Sequence, residues 1–466
     1  MTQDAMPQTD GVVGRILKNM GLLFGGKTSA VLIGLAVLAI AARALSIEEL
    51  GTLLLLHAFI ALMTGIATFK SWQALIQFGA KPLETGDLPR FHRLLRFSIG
   101  LDITAAFIAA ILSVAVFLLF HEAIGLPDDI FWYAIAYCLL CATNFRSSPL
   151  GVLRLYDRFD LISLHDQAVP IVRLVGASLG LWLGGDLTWF ILVWMAAAAA
   201  TNIVMPALAL RELSRRGALK GLFSKRPTLK APQSGIWRYV LMSNIDATID
   251  LVDKQLPTLL AGALLGPAFA ALFKIARDVS DVLAKGARLL NQVLYPELVR
   301  LMIAGMTARA IRIIIFTSLY LLAAGIGLAV LMSLFGPGLF AVALDSNYTR
   351  VASVATMLVI AAALMGGAAP IYSGLYALGN PGRAALSRAI TVAITIALFV
   401  ALSMTMKEAG PGWAMVIGSG LGLVITSIIA LLRVQEAREA SGHAAFKDAT
   451  MDATSDSSAD PPAKSG

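Results

Sequence analysis

Twelve long apolar runs constrain the fold of this chain more than any other feature. A helix needs about 20 apolar residues to cross a bilayer. The runs that meet or approach this length are 22–42, 51–69, 97–120, 130–145, 161–184, 187–210, 237–264, 267–290, 313–335, 351–372, 384–404 and 413–432. Of the 466 residues, 58% are hydrophobic and 14% are charged, whereas roughly a quarter are charged in soluble domains. The sequence therefore predicts an all-α membrane protein of about twelve transmembrane helices.

The loops between these runs alternate in charge. Every second loop is short and neutral or acidic, and the others are basic. The basic positions are Lys81, Arg90, Arg93, Arg96, Arg146, Arg154, Arg158, seven Lys or Arg residues between 211 and 230, Arg300, Arg309, Arg312, Arg383 and Arg388. Because Lys and Arg favour cytoplasmic loops, both termini are predicted to be cytoplasmic. The net charge of +8 is thus interpreted as a signal of topology and not of nucleic-acid binding.

The chain is predicted to form two six-helix lobes. These are an N-terminal lobe at 1–210 and a C-terminal lobe at 237–435, joined by a basic cytoplasmic linker at 211–236. Segments 42–53 and 261–272 match loosely at the end of the first helix of each half, which indicates a parallel repeat. The polar tail at 436–466 is predicted to be disordered and cytoplasmic.

Charged residues inside the seventh and eighth apolar runs are the main functional signal. Asp246, Asp250 and Asp253 are spaced to share one helical face. An ionised residue near mid-membrane costs roughly 2.5 to 3.5 kcal/mol, so these faces must avoid lipid. One interpretation is a hydrated cavity, and the other is an ion-pair network of five acidic and five basic residues on the two helices. The candidate cavity residues are Lys27, Asp246, Asp250, Asp253, Lys274, Arg277, Asp278, Asp281 and Lys285.

Other motifs do not indicate chemistry. Residues 21–28 satisfy the phosphate-loop pattern, but no strand precedes them and an apolar run follows. Cys138 and Cys141 lie inside an apolar run with no second ligand pair, and the five histidines lack metal-ligand spacing. No catalytic, cofactor-binding or metal-binding residues are predicted, and the chain is not expected to be an enzyme.

The junction of the first two helices resembles a known signature. Residues 41–52 read Ala-Ala-Arg-Ala-Leu-Ser-Ile-Glu-Glu-Leu-Gly-Thr, similar to the opening of the polysaccharide transporter family. This family of O-antigen and exopolysaccharide flippases belongs to the multidrug/oligosaccharidyl-lipid/polysaccharide exporter (MOP) superfamily. Segments 145–160 and 294–298 are also similar to the family, whereas Ser46 stands where it usually has Gly.

This resemblance implies a twelve-helix, two-lobed fold in the bacterial inner membrane. It implies that undecaprenyl-diphosphate-linked oligosaccharide, as used for lipopolysaccharide or exopolysaccharide, is flipped to the periplasmic leaflet by alternating access. The implied partners are this lipid-linked substrate, membrane lipids, and polysaccharide polymerase and export machinery; a coupling ion, H⁺ or Na⁺, stays open. The alternatives are a cation-coupled multidrug antiporter of the same superfamily and a membrane-embedded polysaccharide polymerase or ligase.

Overall fold

The computed structural model describes residues 28–124, 127–304, 306–344, 348–378 and 381–456. Within these ranges the chain is helical and contains no strand. The helices are α1 (Thr28–Ala44), α2 (Ile47–Ala67), α3 (Ser71–Glu84), α4 (Leu88–Ile124), α5 (Phe131–Leu140), α6 (Ser147–Leu155), α7 (Phe159–Leu183), α8 (Leu187–Arg215), α9 (Ile236–Leu265), α10 (Pro267–Ile303), α11 (Thr307–Ala343), α12 (Val351–Ala377), α13 (Pro381–Met406) and α14 (Gly410–Asp456). The all-α prediction is confirmed for this part of the chain.

The predicted apolar runs coincide with helices. Each run overlaps a different long helix or α5, although 22–27 lie outside the described residues. Two further helices, α3 and α6, were not predicted. In the described part of the chain, six helical stretches are long and apolar enough to cross a membrane: Ile47–Ala67, Leu88–His121, Leu187–Arg215, Thr307–Ala343, Val351–Ala377 and Gly382–Arg433. The count of twelve spans and the orientation of the termini stay predictions.

The start of α2 is held by a capping box. The Oγ of Ser46 accepts a hydrogen bond from the backbone N–H of Glu49 at 3.2 Å, and the Glu49 carboxylate accepts one from the backbone N–H of Ser46 at 2.8 Å. Two N–H groups that the helix leaves unpaired are thereby satisfied. Ser46, the departure from the family signature, is therefore the N-cap of α2.

Glycines bring α2 close to α9 and to the start of α10. A Cβ on Gly51 would collide with the backbone of Pro267, and a Cβ on Gly262 would collide with the side chain of Leu55. Small residues allow helix backbones to approach in a membrane, where dispersion contacts replace the hydrophobic effect as the source of packing energy. One end of α2 is therefore tightly packed against the ends of α9 and α10.

The predicted cytoplasmic linker packs against α4. His92 of α4 is hydrogen-bonded with the carbonyl of Ala218 at 2.7 Å, and the backbone N–H of Thr228 donates to the carbonyl of Arg96 at 3.4 Å. Leu222 is buried in the same apolar cluster as Phe91. The segment is thus folded onto the helices that precede it.

The chain divides into two compact units. The first contains 1–282, 330–358 and 396–414, and the second contains 283–329, 359–395 and 415–466. The first unit therefore includes α9 and the beginning of α10, which the sequence assigns to the C-terminal lobe; the predicted lobe boundaries stay a prediction.

The last helix extends further than the sequence suggests. The polar tail is predicted to be disordered from residue 436, whereas α14 continues to Asp456. The reason is its alanine content, since alanine has the highest helix propensity and requires no buried partner.

Large apolar side chains cover much of the outer surface. Trp182 is 82% exposed, Leu119 is 76% exposed and Phe316 is 74% exposed. Soluble monomers rarely show apolar side chains at this density. Lipid contact accounts for these side chains on long apolar helices.

Candidate functional site

A cavity of ≈ 740 Å³ lies within the first unit, among α2, α3 and α5–α9. Its ionisable lining is mostly basic. Among the described residues of the lining, five are cations, two are carboxylates and two are histidines: Lys70, Arg146, Arg154, Arg173, Lys254, Asp166, Asp250, His57 and His165. Trp72 and Tyr137 supply aromatic surface.

Arg173 of α7 occupies the part of the cavity next to α2 and α5. Its Nη2 lies 3.2 Å from Nε2 of His57, and Nδ1 of that histidine lies 3.0 Å from the hydroxyl of Tyr137. The guanidinium also lies 4.6 Å above the ring of Trp194. Its Nε is buried without a hydrogen-bond partner among the described residues, and no carboxylate there forms an ion pair with it. Among the described residues, the groups in direct contact with the Arg173 guanidinium therefore include the His57 imidazole and the Trp194 ring, with no carboxylate within ion-pair distance.

Arg146 and Arg154 lie at the two ends of α6. Arg146 donates from Nε to the Oδ1 of Asn144 at 2.7 Å, and the guanidinium of Arg154 lies 4.0 Å above the Trp72 ring. Burial lowers the pKa of both arginines, and the nearby charge of Asp166 opposes that shift. Arginine remains protonated under such shifts because its ordinary pKa exceeds 12. The two side chains are thus held by neutral partners and stay charged.

The two carboxylates leave most of this charge unbalanced. Asp250 pairs with Lys254 one turn further along α9, at 2.7 Å, and Asp166 lies 3.4 Å from Nδ1 of His165. In the described lining, three arginines therefore face one carboxylate that none of them contacts within ion-pair distance.

This arrangement is suited to a multivalent anion. Guanidinium groups bind phosphate through two parallel N–H···O bonds. A hydrogen bond to a charged group contributes roughly 1.5 to 3 kcal/mol, more than a neutral one. A diphosphate, with several acceptor oxygens, can satisfy more than one of these arginines at the same time.

Most of the predicted site residues on α9 and α10 have protein partners. Arg277 donates to the backbone carbonyl of Asp253 at 2.8 Å, and Lys274 forms an ion pair with Asp278. Asp281 and Lys285 also have interaction partners. Among the predicted set, Asp250 lines the cavity, whereas Asp253, Lys274, Arg277, Asp278, Asp281 and Lys285 are absent from its lining. The pairs match the ion-pair interpretation, and substrate contact by these residues stays a prediction.

Two predicted residues cannot be placed in this way. Lys27 lies outside the described residues, as does the side chain of Asp246. Their assignment to a cavity also stays a prediction.

Sequence reasoning missed the roles of Arg146 and Arg154. Both were attributed to the positive-inside pattern, because a basic loop signals orientation whether or not it lines a cavity. The available signal was on α7, where Asp166 and Arg173 are spaced to share one face of a predicted span. Because charged side chains avoid lipid, this face of α7 must lie against a polar surface of the protein.

Residues 16–302, more than half of the chain, match the model of a family described as polysaccharide biosynthesis protein. The chain belongs to this family. Inner membrane protein YghQ of Escherichia coli (strain K12) is 30% identical over 296 residues, which are 63% of this chain and 82% of YghQ. The resemblance noted at the junction of α1 and α2 is confirmed.

Solved structures show the fold of this chain. An inward-facing multidrug resistance transporter of the MATE family in the MOP superfamily matches with a TM-score of 0.68 at 15% identity, covering 88% of this chain and 96% of the other. The lipid II flippase MurJ in an inward closed conformation matches with a TM-score of 0.64 at 14% identity, covering 87% and 86%. The chain is a multi-pass membrane protein with the fold of MOP-superfamily transporters.

Proposed function

We propose that this protein is a transporter of the bacterial inner membrane that moves undecaprenyl-diphosphate-linked oligosaccharide to the periplasmic leaflet by alternating access. One observation carries the proposal: Arg146, Arg154 and Arg173 line a single cavity without a carboxylate partner in the described structure. A diphosphate head group offers several acceptor oxygens of the kind that guanidinium groups bind. Membership of a polysaccharide biosynthesis family supports an oligosaccharide as the remainder of the cargo.

The packing of α2 supports an access path from the cytoplasm. The cavity is lined by the C-terminal half of α2 and by 247–254 of α9. In the predicted topology the α2 segment lies in the cytoplasmic half of the membrane and the α9 segment lies near its middle. The opposite end of α2 is closed against Pro267, because Gly51 leaves no gap there. Transport then requires this end of α2 to move away from Pro267 while the cavity closes on its cytoplasmic side.

A multidrug antiporter of the same fold would need a different cavity. Cationic drugs are attracted by carboxylates, whereas the described lining of this cavity contains five cations and two carboxylates. The excess of positive charge therefore favours an anionic substrate.

Binding to the purified protein in nanodiscs tests the proposal. Undecaprenyl diphosphate, undecaprenyl phosphate and the cationic dye ethidium serve as probes, and native mass spectrometry measures the occupancy of each. We expect the diphosphate to bind more tightly than the monophosphate and ethidium not to compete. Preferential binding of ethidium would contradict the proposal and favour the antiporter.

A cellular experiment tests the transport step. Deletion of the gene should leave lipid-linked oligosaccharide in the inner leaflet, where an added glycosidase cannot reach it in spheroplasts. Equal accessibility with and without the gene would refute transport of this cargo.

A further inference from the structure

We infer that Asp102 is a positioning residue, which holds the cavity cations of α3 and α6 in place for an anionic head group. The inference rests on the proposed function for the identity of that ligand. Asp102 lies on α4, outside the cavity lining, and only 4% of it is exposed. A carboxylate buried in a predicted span is costly and calls for a specific role.

Asp102 joins the beginnings of two helices. The hydroxyl of Ser71, the first residue of α3, donates to its Oδ1 at 2.6 Å. The backbone N–H of Ser148, in the first turn of α6, donates to its Oδ2 at 2.7 Å. Its described hydrogen bonds thus go to Ser71 and Ser148 rather than to a cation. A carboxylate at a helix start satisfies an unpaired N–H and is favoured by the positive end of the helix dipole.

The helix starts that Asp102 joins also carry cavity cations. Lys70 precedes α3 as its N-cap, and Arg146 precedes α6 as its N-cap. Both line the cavity. A displacement of either helix start would therefore move a cation relative to the bound anion.

The far end of α6 depends on the same pair of helices. Arg154 is stacked on Trp72, the second residue of α3. The N–H of Trp72 donates to the hydroxyl of Ser147 at 3.2 Å, and a Cβ on Gly151 would lie 3.0 Å from the Cα of Trp72. The two helices are in close contact, so Asp102 acts on Arg146 directly through the start of α6 and on Arg154 through the α3–α6 pair.

Asp102→Asn tests this arrangement with little change in shape. The amide retains one acceptor oxygen, but its NH₂ group cannot accept the hydrogen bond that the second donor offers. One of the two helices loses its link to α4. Thr104→Val is the matched control, because the Thr104 hydroxyl bonds within α4, to the carbonyl of Gly100 at 2.9 Å.

A double-mutant cycle separates positioning from general stability. The affinity of the full-length protein for undecaprenyl diphosphate is measured for Asp102→Asn, Arg154→Gln and the double variant. Each single change should weaken binding by about tenfold, and the double variant should lose less than the two losses combined, because part of the effect of Asp102 is exerted through Arg154. The cycle with Arg173→Gln, on α7, should be additive. Additive losses with Arg154→Gln, or no loss with Asp102→Asn, would overturn the inference.

A second measurement needs no ligand. A cysteine at Leu150, which lies on α6 and lines the cavity, is labelled with a water-soluble maleimide. The native Cys138 and Cys141 are buried, and the protein without the added cysteine gives the background. Asp102→Asn should change the labelling rate at least threefold, while Thr104→Val leaves it unchanged. An unchanged rate with Asp102→Asn would overturn the inference, whether or not the wild-type protein binds undecaprenyl diphosphate. A lack of binding to the wild-type protein would instead refute the proposed function.

Discussion

Among single residues, Arg173 carries a buried positive charge in the cavity. It contacts His57 and stacks on Trp194, and its Nε is buried without a partner in the described chain. Burying a cation is costly unless a counter-charge compensates it. In the proposed cycle the diphosphate provides this compensation. We therefore propose that Arg173 binds the cargo.

Replacement of Arg173 should weaken binding without unfolding the protein. Arg173→Gln removes one charge-assisted hydrogen bond, so we expect the affinity for undecaprenyl diphosphate to fall about tenfold to a hundredfold. Arg173→Lys keeps the charge but loses the planar fork, and its affinity should lie in between. Native mass spectrometry in nanodiscs measures both, and the exposed Arg93 provides a control as Arg93→Gln. Equal affinities for Arg173→Gln and the wild type would argue against the cavity as the site.

Arg158 has a structural role instead. It forms an ion pair with Glu212, whose side chain is 3% exposed, and thereby joins the start of α7 to the end of α8. Arg216 also contacts Glu212, at 3.1 Å. Arg158→Gln leaves a buried carboxylate with one cation, so we expect stability to fall by about 1 to 3 kcal/mol.

Thermal unfolding in detergent measures this loss. The control is Arg300→Gln, because the Arg300–Glu297 pair is largely exposed and such pairs contribute about 0 to 1 kcal/mol. An equal drop in midpoint for both variants would contradict the structural role of the buried pair.

Helix packing decides stability at the scale of elements. The contact of α2 with α9 and α10 depends on glycines, and the position of Gly51 against the Pro267 backbone admits no side chain. Since backbone atoms cannot rotate aside as a side chain can, the helices must move apart to accommodate a methyl group.

Gly51→Ala should therefore destabilise the protein by about 1 to 3 kcal/mol, as overpacking does. Gly34→Ala on α1 is the matched control, because its new Cβ meets nothing within 4 Å, and alanine is the better helix former by up to about 1 kcal/mol. Unfolding midpoints of the two variants are compared in the same detergent. A midpoint for Gly51→Ala at or above that of Gly34→Ala would show that the two helices are not in contact as described.

Orientation in the membrane is a property of the whole molecule. The alternation of basic and neutral loops predicts that residues 185 and 407 face the periplasm and residues 230 and 306 face the cytoplasm. Alkaline phosphatase folds only outside the cytoplasm, so fusions at the first pair should be active and those at the second pair inactive. Activity at 306 would show that α9 and α10 do not both cross the bilayer. The predicted topology would then be wrong.

The extent of sequence-based prediction differs between the helices and the site. The apolar runs located the long helices, since a helix that satisfies its own backbone hydrogen bonds is the economical way across lipid. The sequence does not predict the short helices α3 and α6, because neither is long enough or apolar enough to be distinguished from a loop. These two helices contain Trp72 and Arg154 and begin after the cavity residues Lys70 and Arg146, so the site could not be assembled without them.

The charged residues show why the site needed the fold. Asp253 and Arg277 could be recognised as buried charges from the cost of placing them in lipid, but not as partners of each other. Partner choice depends on which helices are neighbours, and that is decided by long-range packing.

The sequence by itself determined that the chain is a helical membrane protein, where its long helices lie and which family it resembles. Each of these follows from local properties: apolar length, loop charge and a short junction motif. Only the tertiary structure decided that arginines of α6 and α7 share one cavity, and that Arg277 of α10 contacts Asp253 of α9. The physical reason is that electrostatic compensation acts between residues close in space, and their proximity is created by helix packing rather than by position along the chain.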